Sequence, residues 1–206
     1  MVDMQALRDA VAGWAAGGPG EPARELAGLL GVRTAVLLEG PSDLAAVDAL
    51  AALTGRDLPA EGVCVQPMGG AMSVGRYAAL LGPSGLGLRL VGLCDEGEQR
   101  FYDRALDRAG AAPHRAVFVC AADLEDELIR ALGVAGVEEV LRAEGDLPAW
   151  QTFVRQPAQR DRPPQDRLRR FLGTKKGRKI RYGGLLAGAL APDRVPAPLA
   201  ALLASL

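Results

Sequence analysis

The chain has 206 residues, 49% of them apolar, and 24 basic against 25 acidic side chains leave a formal net charge of −1. That suffices for one full core and excludes a disordered tail protein, which low apolar content and high net charge keep from collapsing. No run of about 18 apolar residues suggests a membrane span, and Met1-Val2-Asp3 lacks the basic-then-apolar start of a secretory signal, so a cytoplasmic protein is expected.

Residues 4–16 and 21–30 carry apolar positions at helical spacing, parted by Gly17-Gly18-Pro19-Gly20, and predict a helical N-terminal extension over residues 1–31. Val32–Leu38 is a short β-branched and aliphatic run that ends in Glu39-Gly40-Pro41, a buried strand meeting a turn. Ser42 can cap the helix that follows, with Leu44, Val47, Leu50 and Leu53 as its apolar face. Val63–Val65 predicts a second strand, closed by Met68-Gly69-Gly70, with a helix over about 72–81. Leu86–Leu93 predicts a third, running into Cys94-Asp95-Glu96-Gly97-Glu98, with a helix over about 98–109. Arg115–Cys120 predicts a fourth, and Asp123-Leu124-Glu125-Asp126-Glu127 opens another helix. Strand and helix alternating four times, with strands apolar on both faces, imply an α/β domain over 32–133: a Rossmann-like parallel sheet of about four strands with helices on both faces. The crossovers should be right-handed. From 134 to 206 the pattern is helical. Val195, Leu199, Leu202, Leu203 and Leu206 of the last helix should pack on the core.

Near-neutrality hides two blocks. Between Asp95 and Asp146 acids outnumber bases by roughly two to one. Between Arg155 and Arg181 eleven bases, among them Arg162, Arg167, Arg169, Arg170, Lys175, Lys176, Arg178 and Arg181, face only Asp161 and Asp166. Such a local excess is a footprint for nucleic acid, though a solvated arginine-rich loop would look the same. Lysine occurs only at Lys175, Lys176 and Lys179 in a chain that otherwise uses arginine. A compact ammonium does what a guanidinium cannot, so one of these lysines is expected to have a chemical task.

Ligands of an open α/β sheet bind outside the carboxyl ends of its strands. Glu39 and Asp43 follow the first strand, Asp95 and Glu98 the third, Asp123 and Glu125 the fourth. Crowded carboxylates need a counter-charge, and an all-oxygen set suits Mg²⁺ or Mn²⁺. Two such ions roughly 3.5–4 Å apart can stabilise both oxygens of a phosphodiester displacement. Asp43, Glu98, Asp123 and Asp126 could equally cap helices, whereas Glu39, followed by Gly-Pro, is harder to explain that way. Glu96 and Glu127 are expected on solvated faces. Zinc is excluded, since His114 is the only histidine and Cys64, Cys94 and Cys120 are widely spaced buried hydrophobes.

Leu37-Leu38-Glu39-Gly40-Pro41-Ser42-Asp43 resembles the first motif of TOPRIM domains, the metal-dependent module of topoisomerases, primases and several nucleases. The extra acid Asp43, the segment Asp123–Leu128 and the lysine-bearing segment Lys175–Leu190 resemble the version in OLD-family (overcoming lysogenization defect) nucleases. The resemblance spans about residues 32–190. It implies a nuclease acting on DNA with two Mg²⁺ or Mn²⁺ sites, in which Glu39, Asp95 and Glu125 hold metal and Asp43, Glu98 and Asp123 complete the shells. Lys179, or Lys176, would stabilise the reacting phosphate. The family's Asp-x-Asp is broken here: Gly97 stands at the second position and Glu98 one residue later. OLD-family proteins carry an ATPase ahead of the TOPRIM part, but no lysine precedes Lys175, and Gly82–Gly87 reads as a turn rather than a P-loop. The chain is therefore expected to work alone or with a separate ATPase or helicase. Nucleotidyl transfer and a non-catalytic binding module are the alternatives; a topoisomerase would need a nucleophile among Tyr77, Tyr102 and Tyr182, none in a distinguishing context.

Overall fold

The computed structural model describes residues 3–111, 116–175 and 177–206; His114, Arg115 and Lys176 lie outside them. Four parallel strands, β1 (Thr34–Leu38), β2 (Val63–Pro67), β3 (Arg89–Asp95) and β4 (Ala116–Cys120), form one sheet in the order β2-β1-β3-β4. The parallel register sets Leu38 opposite Pro67 and Asp95 opposite Cys120. The third strand starts and ends later than the expected 86–93, because its ladder begins at Thr34↔Arg89 and runs on to Asp95.

Each strand divides its side chains between two cores. Val36, Leu38, Val91 and Leu93 join one; Ala35, Leu37, Leu90 and Cys94 join the other. Helices α1 (Met4–Ala15), α2 (Glu21–Leu29), α4 (Val74–Leu81) and α5 (Gln99–Arg108) cover the second face. Residues of α1, Leu7 and Val11 among them, are integral to that core. The first face carries α3 (Pro41–Leu53), α6 (Leu124–Ala143), α7 (Leu147–Val154), α8 (Pro164–Leu172), α9 (Arg178–Gly188) and α10 (Ala197–Ser205). Leu199, Leu202 and Leu203 of α10 are buried in it, as expected. α6 is broken at Gly133 (φ 72°, ψ 162°), where the α/β alternation gives way to helices alone.

The connection leaving β1 passes over one face through α3, and the connection leaving β3 passes over the other through α5. The carboxyl ends of these neighbouring strands therefore part, and a crevice opens between them. Two devices shape it. Gly69 (φ 74°) and Gly70 (φ 128°) turn back beside β1, and the Gly70 N–H donates to the Glu39 carbonyl at 2.9 Å. Only glycine takes such a pair of angles without strain. On the opposite wall α9 presses on the start of α3: a Cβ on Gly183 would lie 2.6 Å from the Ser42 carbonyl oxygen. That approach seats Lys179, one turn earlier, over the crevice. Gly183→Ala is expected to cost about 1–3 kcal/mol by overpacking, read as a lower urea midpoint; an unchanged midpoint would mean that α9 is not held there by close backbone contact.

Candidate active site

The crevice is lined by Glu39, Asp43, Gly69, Gly70, Asp95, Asp123, Glu125 and Lys179. Glu39 follows β1 directly and Asp95 ends β3, so both positions are consequences of the sheet. A short 3₁₀ turn (Glu96–Glu98) follows the strand end directly. Oxygens of Glu39, Asp95 and Glu98 thus lie within 4.8 Å of one another, a spacing that one cation could bridge. The longer arm of Glu98 makes up for its place one residue late. A Cβ on Gly97 would meet nothing within 4 Å, and its φ is not positive. Gly97→Asp should therefore fold with stability within about 0.5 kcal/mol of the parent, checked by denaturant titration; a larger loss would show that glycine is needed for the turn.

The other acids are less free. Asp43 accepts the Gly40 N–H at 2.7 Å and so closes the first turn of α3, as the capping account expects. Asp123 caps α6 by accepting the Asp126 N–H at 2.8 Å, and its second oxygen pairs with Arg169. Glu125 is 3% exposed, with Oε2 at 3.0 Å from Lys179 Nζ and Oε1 buried without a donor among the described residues. Glu98 Oε2 is likewise buried with no donor among the described residues. Glu96 is exposed, as expected, but Glu127 is not on a solvated face. It is 7% exposed, accepts the Ala121 N–H at 2.9 Å and pairs with Arg130 at 2.6 Å, which ties the β4–α6 turn to the helix.

Burial and nearby carboxylates oppose ionisation of Asp95, Asp43, Glu98 and Glu125. Asp95 is pushed up to about 7, first by burial and then by Asp123, Glu98, Glu39 and Asp43. Asp43 and Glu98 rise to about 6, again through burial first; the Gly40 N–H tempers the rise at Asp43, and Glu39 adds to it at Glu98. Burial also raises Glu125, against the pull of Lys179. Although burial works against its charge, the carboxylates of Glu125, Asp123 and Asp43 hold Lys179 above its ordinary value. An oxygen-rich, over-charged cleft with two donorless buried oxygens matches the needs of a hard divalent cation, and the buried thiols play no part: burial pushes Cys64 and Cys94 up to about 12.

The basic segment is only partly at the site. Arg162, Arg169 and Arg170 line a second cleft that shares Asp123, Glu125 and Lys179 with the first. Lys175 lies on a groove with Phe153 and Phe171, Arg181 pairs with Glu144, and Arg167 donates to the carbonyls of Arg160 and Arg162. Arg178 is a correction: it is 6% exposed, sits 4.1 Å from the Phe171 ring centroid and pairs with Asp146 at 3.4 Å. It anchors α9 internally and cannot meet a nucleic-acid surface. Tyr182, whose hydroxyl donates to Asp146 at 2.9 Å, belongs to the same anchor. Tyr77, Tyr102 and Tyr182 are all buried, so none offers a surface nucleophile.

The four-stranded parallel sheet, in the order β2-β1-β3-β4, sets a glutamate after its first strand and acids after its third at one end. Residues 32–96 match the family model described as Overcoming lysogenization defect protein-like, TOPRIM domain, so that stretch is OLD-like TOPRIM in kind. Among solved structures it is similar to the C-terminal region of the Xanthomonas campestris pv. campestris OLD protein, with 27% identity over 86% of this chain and 93% of that one and a TM-score of 0.62. The C-terminal region of the Burkholderia pseudomallei OLD protein shares the fold, with 23% identity, 84% and 96% coverage and a TM-score of 0.62. No curated protein matches the chain. Among the described residues no helix is long and apolar enough to cross a membrane.

Proposed function

We propose that this chain is a divalent-cation-dependent nuclease that hydrolyses phosphodiester bonds in DNA, using Mg²⁺ or Mn²⁺. The observation that carries this reading is the meeting of Glu39, Asp95 and Glu98 in the crevice at the strand ends, beside oxygens of Glu98 and Glu125 that have no donor among the described residues. Glu39, Asp95 and Glu98 would hold one cation, and Asp123 and Glu125 a second; Asp43 holds the turn that presents Glu39. Bound cations of this kind supply Lewis-acid stabilisation to an attacking water and to the leaving oxygen.

The remaining work falls to the protein's own groups. Lys179, charged and half exposed above the cluster, neutralises charge that develops on the non-bridging phosphate oxygens. Arg169, Arg170 and Arg162 hold the phosphate backbone beside it without reading bases. Lys175 extends that track outward. Residues 32–133 form the catalytic unit, 1–31 support its sheet, and 134–206 bring the lysine and the arginines. An ATPase or helicase on another polypeptide would be its partner.

Nicking of supercoiled plasmid in Mg²⁺ or Mn²⁺ tests the reading. Glu39→Ala is expected to lower the rate by about 10³-fold, since the cation's contribution is several kcal/mol; equal cleavage by both proteins would overturn the assignment.

A further inference from the structure

The acidic cluster is built in two unlike halves. Glu39, Asp95 and Glu98 bring their oxygens within 4.8 Å of one another, and among the described residues no basic side chain pairs with them. Asp123 and Glu125 each already hold a basic side chain, Arg169 and Lys179 at 3.0 Å respectively. A divalent ion can enter the first half directly. Entry to the second must displace an ion pair.

Arg169 has the marks of a group waiting for another acceptor. One terminal nitrogen is spent on Asp123, while its Nε is buried and has no acceptor among the described residues. Its side chain is 35% exposed and lines the cleft with Arg162, Arg170 and Lys179. The guanidinium fork fits two oxygens of a phosphate, a geometry that a single carboxylate contact leaves unused. On the acid side, Glu125 Oε1 is buried, without a donor among the described residues, on a residue lining both clefts.

We infer that the Arg162–Arg169–Arg170 cleft is a phosphate subsite whose occupation draws Arg169 off Asp123 and thereby opens the Asp123–Glu125 position to a second divalent cation. This rests on the nuclease reading above. Without a phosphodiester the chain holds one tight cation, and the second joins with the nucleic acid. Because binding free energies are reciprocal, the second cation tightens nucleic-acid binding by the same factor that nucleic acid tightens the cation. The coupling keeps the complete site from forming before a strand is seated.

Mn²⁺ titration followed by electron paramagnetic resonance reads this without turnover. The full chain alone is expected to bind one tight Mn²⁺ that is lost in Glu39→Gln. Arg169→Gln alone should bind a second, at least about 5-fold tighter than in the parent, whereas Arg162→Gln, which bares no carboxylate, should not. Adding a 20-base-pair duplex, with the duplex's own Mn²⁺ binding subtracted, should bring the parent to two ions and change Arg169→Gln little. Arg169→Lys, which keeps a charge near Asp123, should fall between them. A Glu39-dependent ion in the parent, with Arg169→Gln and the parent alike in stoichiometry and affinity, would overturn the coupling and leave the cation site standing. No Glu39-dependent ion at all would remove the cation site and the coupling with it.

Discussion

Asp95→Asn is expected to make the cation-free protein more stable and the enzyme nearly inactive. Asp95 ionises near 7 in the folded chain because it is half-buried among Asp123, Glu98, Glu39 and Asp43. Unfolded, it ionises near 4. Folding therefore takes up a proton between those values, so the carboxyl's contribution is whole below about pH 4 and is lost as the pH climbs through 7. Discounted for solvent screening at a half-exposed group, the loss at pH 8 is about 1–2 kcal/mol. Asparagine escapes it. The melting temperature without divalent ions should rise by about 3–6 °C at pH 8 and stay unchanged at pH 4. Millimolar Mg²⁺ should stabilise the parent at pH 8 and leave the variant unmoved, while cleavage falls by at least about 10²-fold. A variant that melts lower at pH 8 would show that the carboxylates do not repel one another.

Lys179→Met should lower kcat by about 10²–10³-fold, the usual effect of removing one group aimed at developing negative charge, with KM for DNA changed far less. The substitution also strips Glu125 of its partner at 3.0 Å. Glu125, already raised by burial, would rise further, so the variant should lose stability as the pH climbs and recover it toward pH 5. Lys179→Arg keeps the charge but swaps a compact ammonium for a planar fork, and should restore only part of kcat. Should Lys179→Met keep kcat within about threefold, the lysine serves only as a counter-ion to Glu125.

Much of the site was legible in the chain because parallel strands apolar on both faces end abruptly, and whatever follows them sits at the ligand end of the sheet. Glu39, Asp95 and Glu125 could be picked out on that ground. Glu98 could be named as a substitute for the absent aspartate, but whether its arm reached the cluster depended on the 3₁₀ turn through Gly97. The scarcity of lysine likewise singled out three residues, and only the packing of Gly183 on Ser42 shows why Lys179 meets Glu125.

Charge counting told less. Eleven bases between Arg155 and Arg181 look alike as letters, yet Arg178 is buried on Phe171, Arg167 holds backbone carbonyls and Arg169 is paired across 46 residues with Asp123. Glu127 is misplaced for the same reason: nothing local shows that the Ala121 N–H would turn toward it.

Alternation of apolar strands and helices, the residues at strand ends and the all-oxygen donor set are local properties, and the amino-acid order alone determined them. Which acids are bare, which are already neutralised, and which bases are free for a phosphate depended on groups far apart in the chain that meet only in the folded molecule. Ionisation and pairing respond to burial and to neighbours within a few ångströms, and those neighbours are chosen by helix packing.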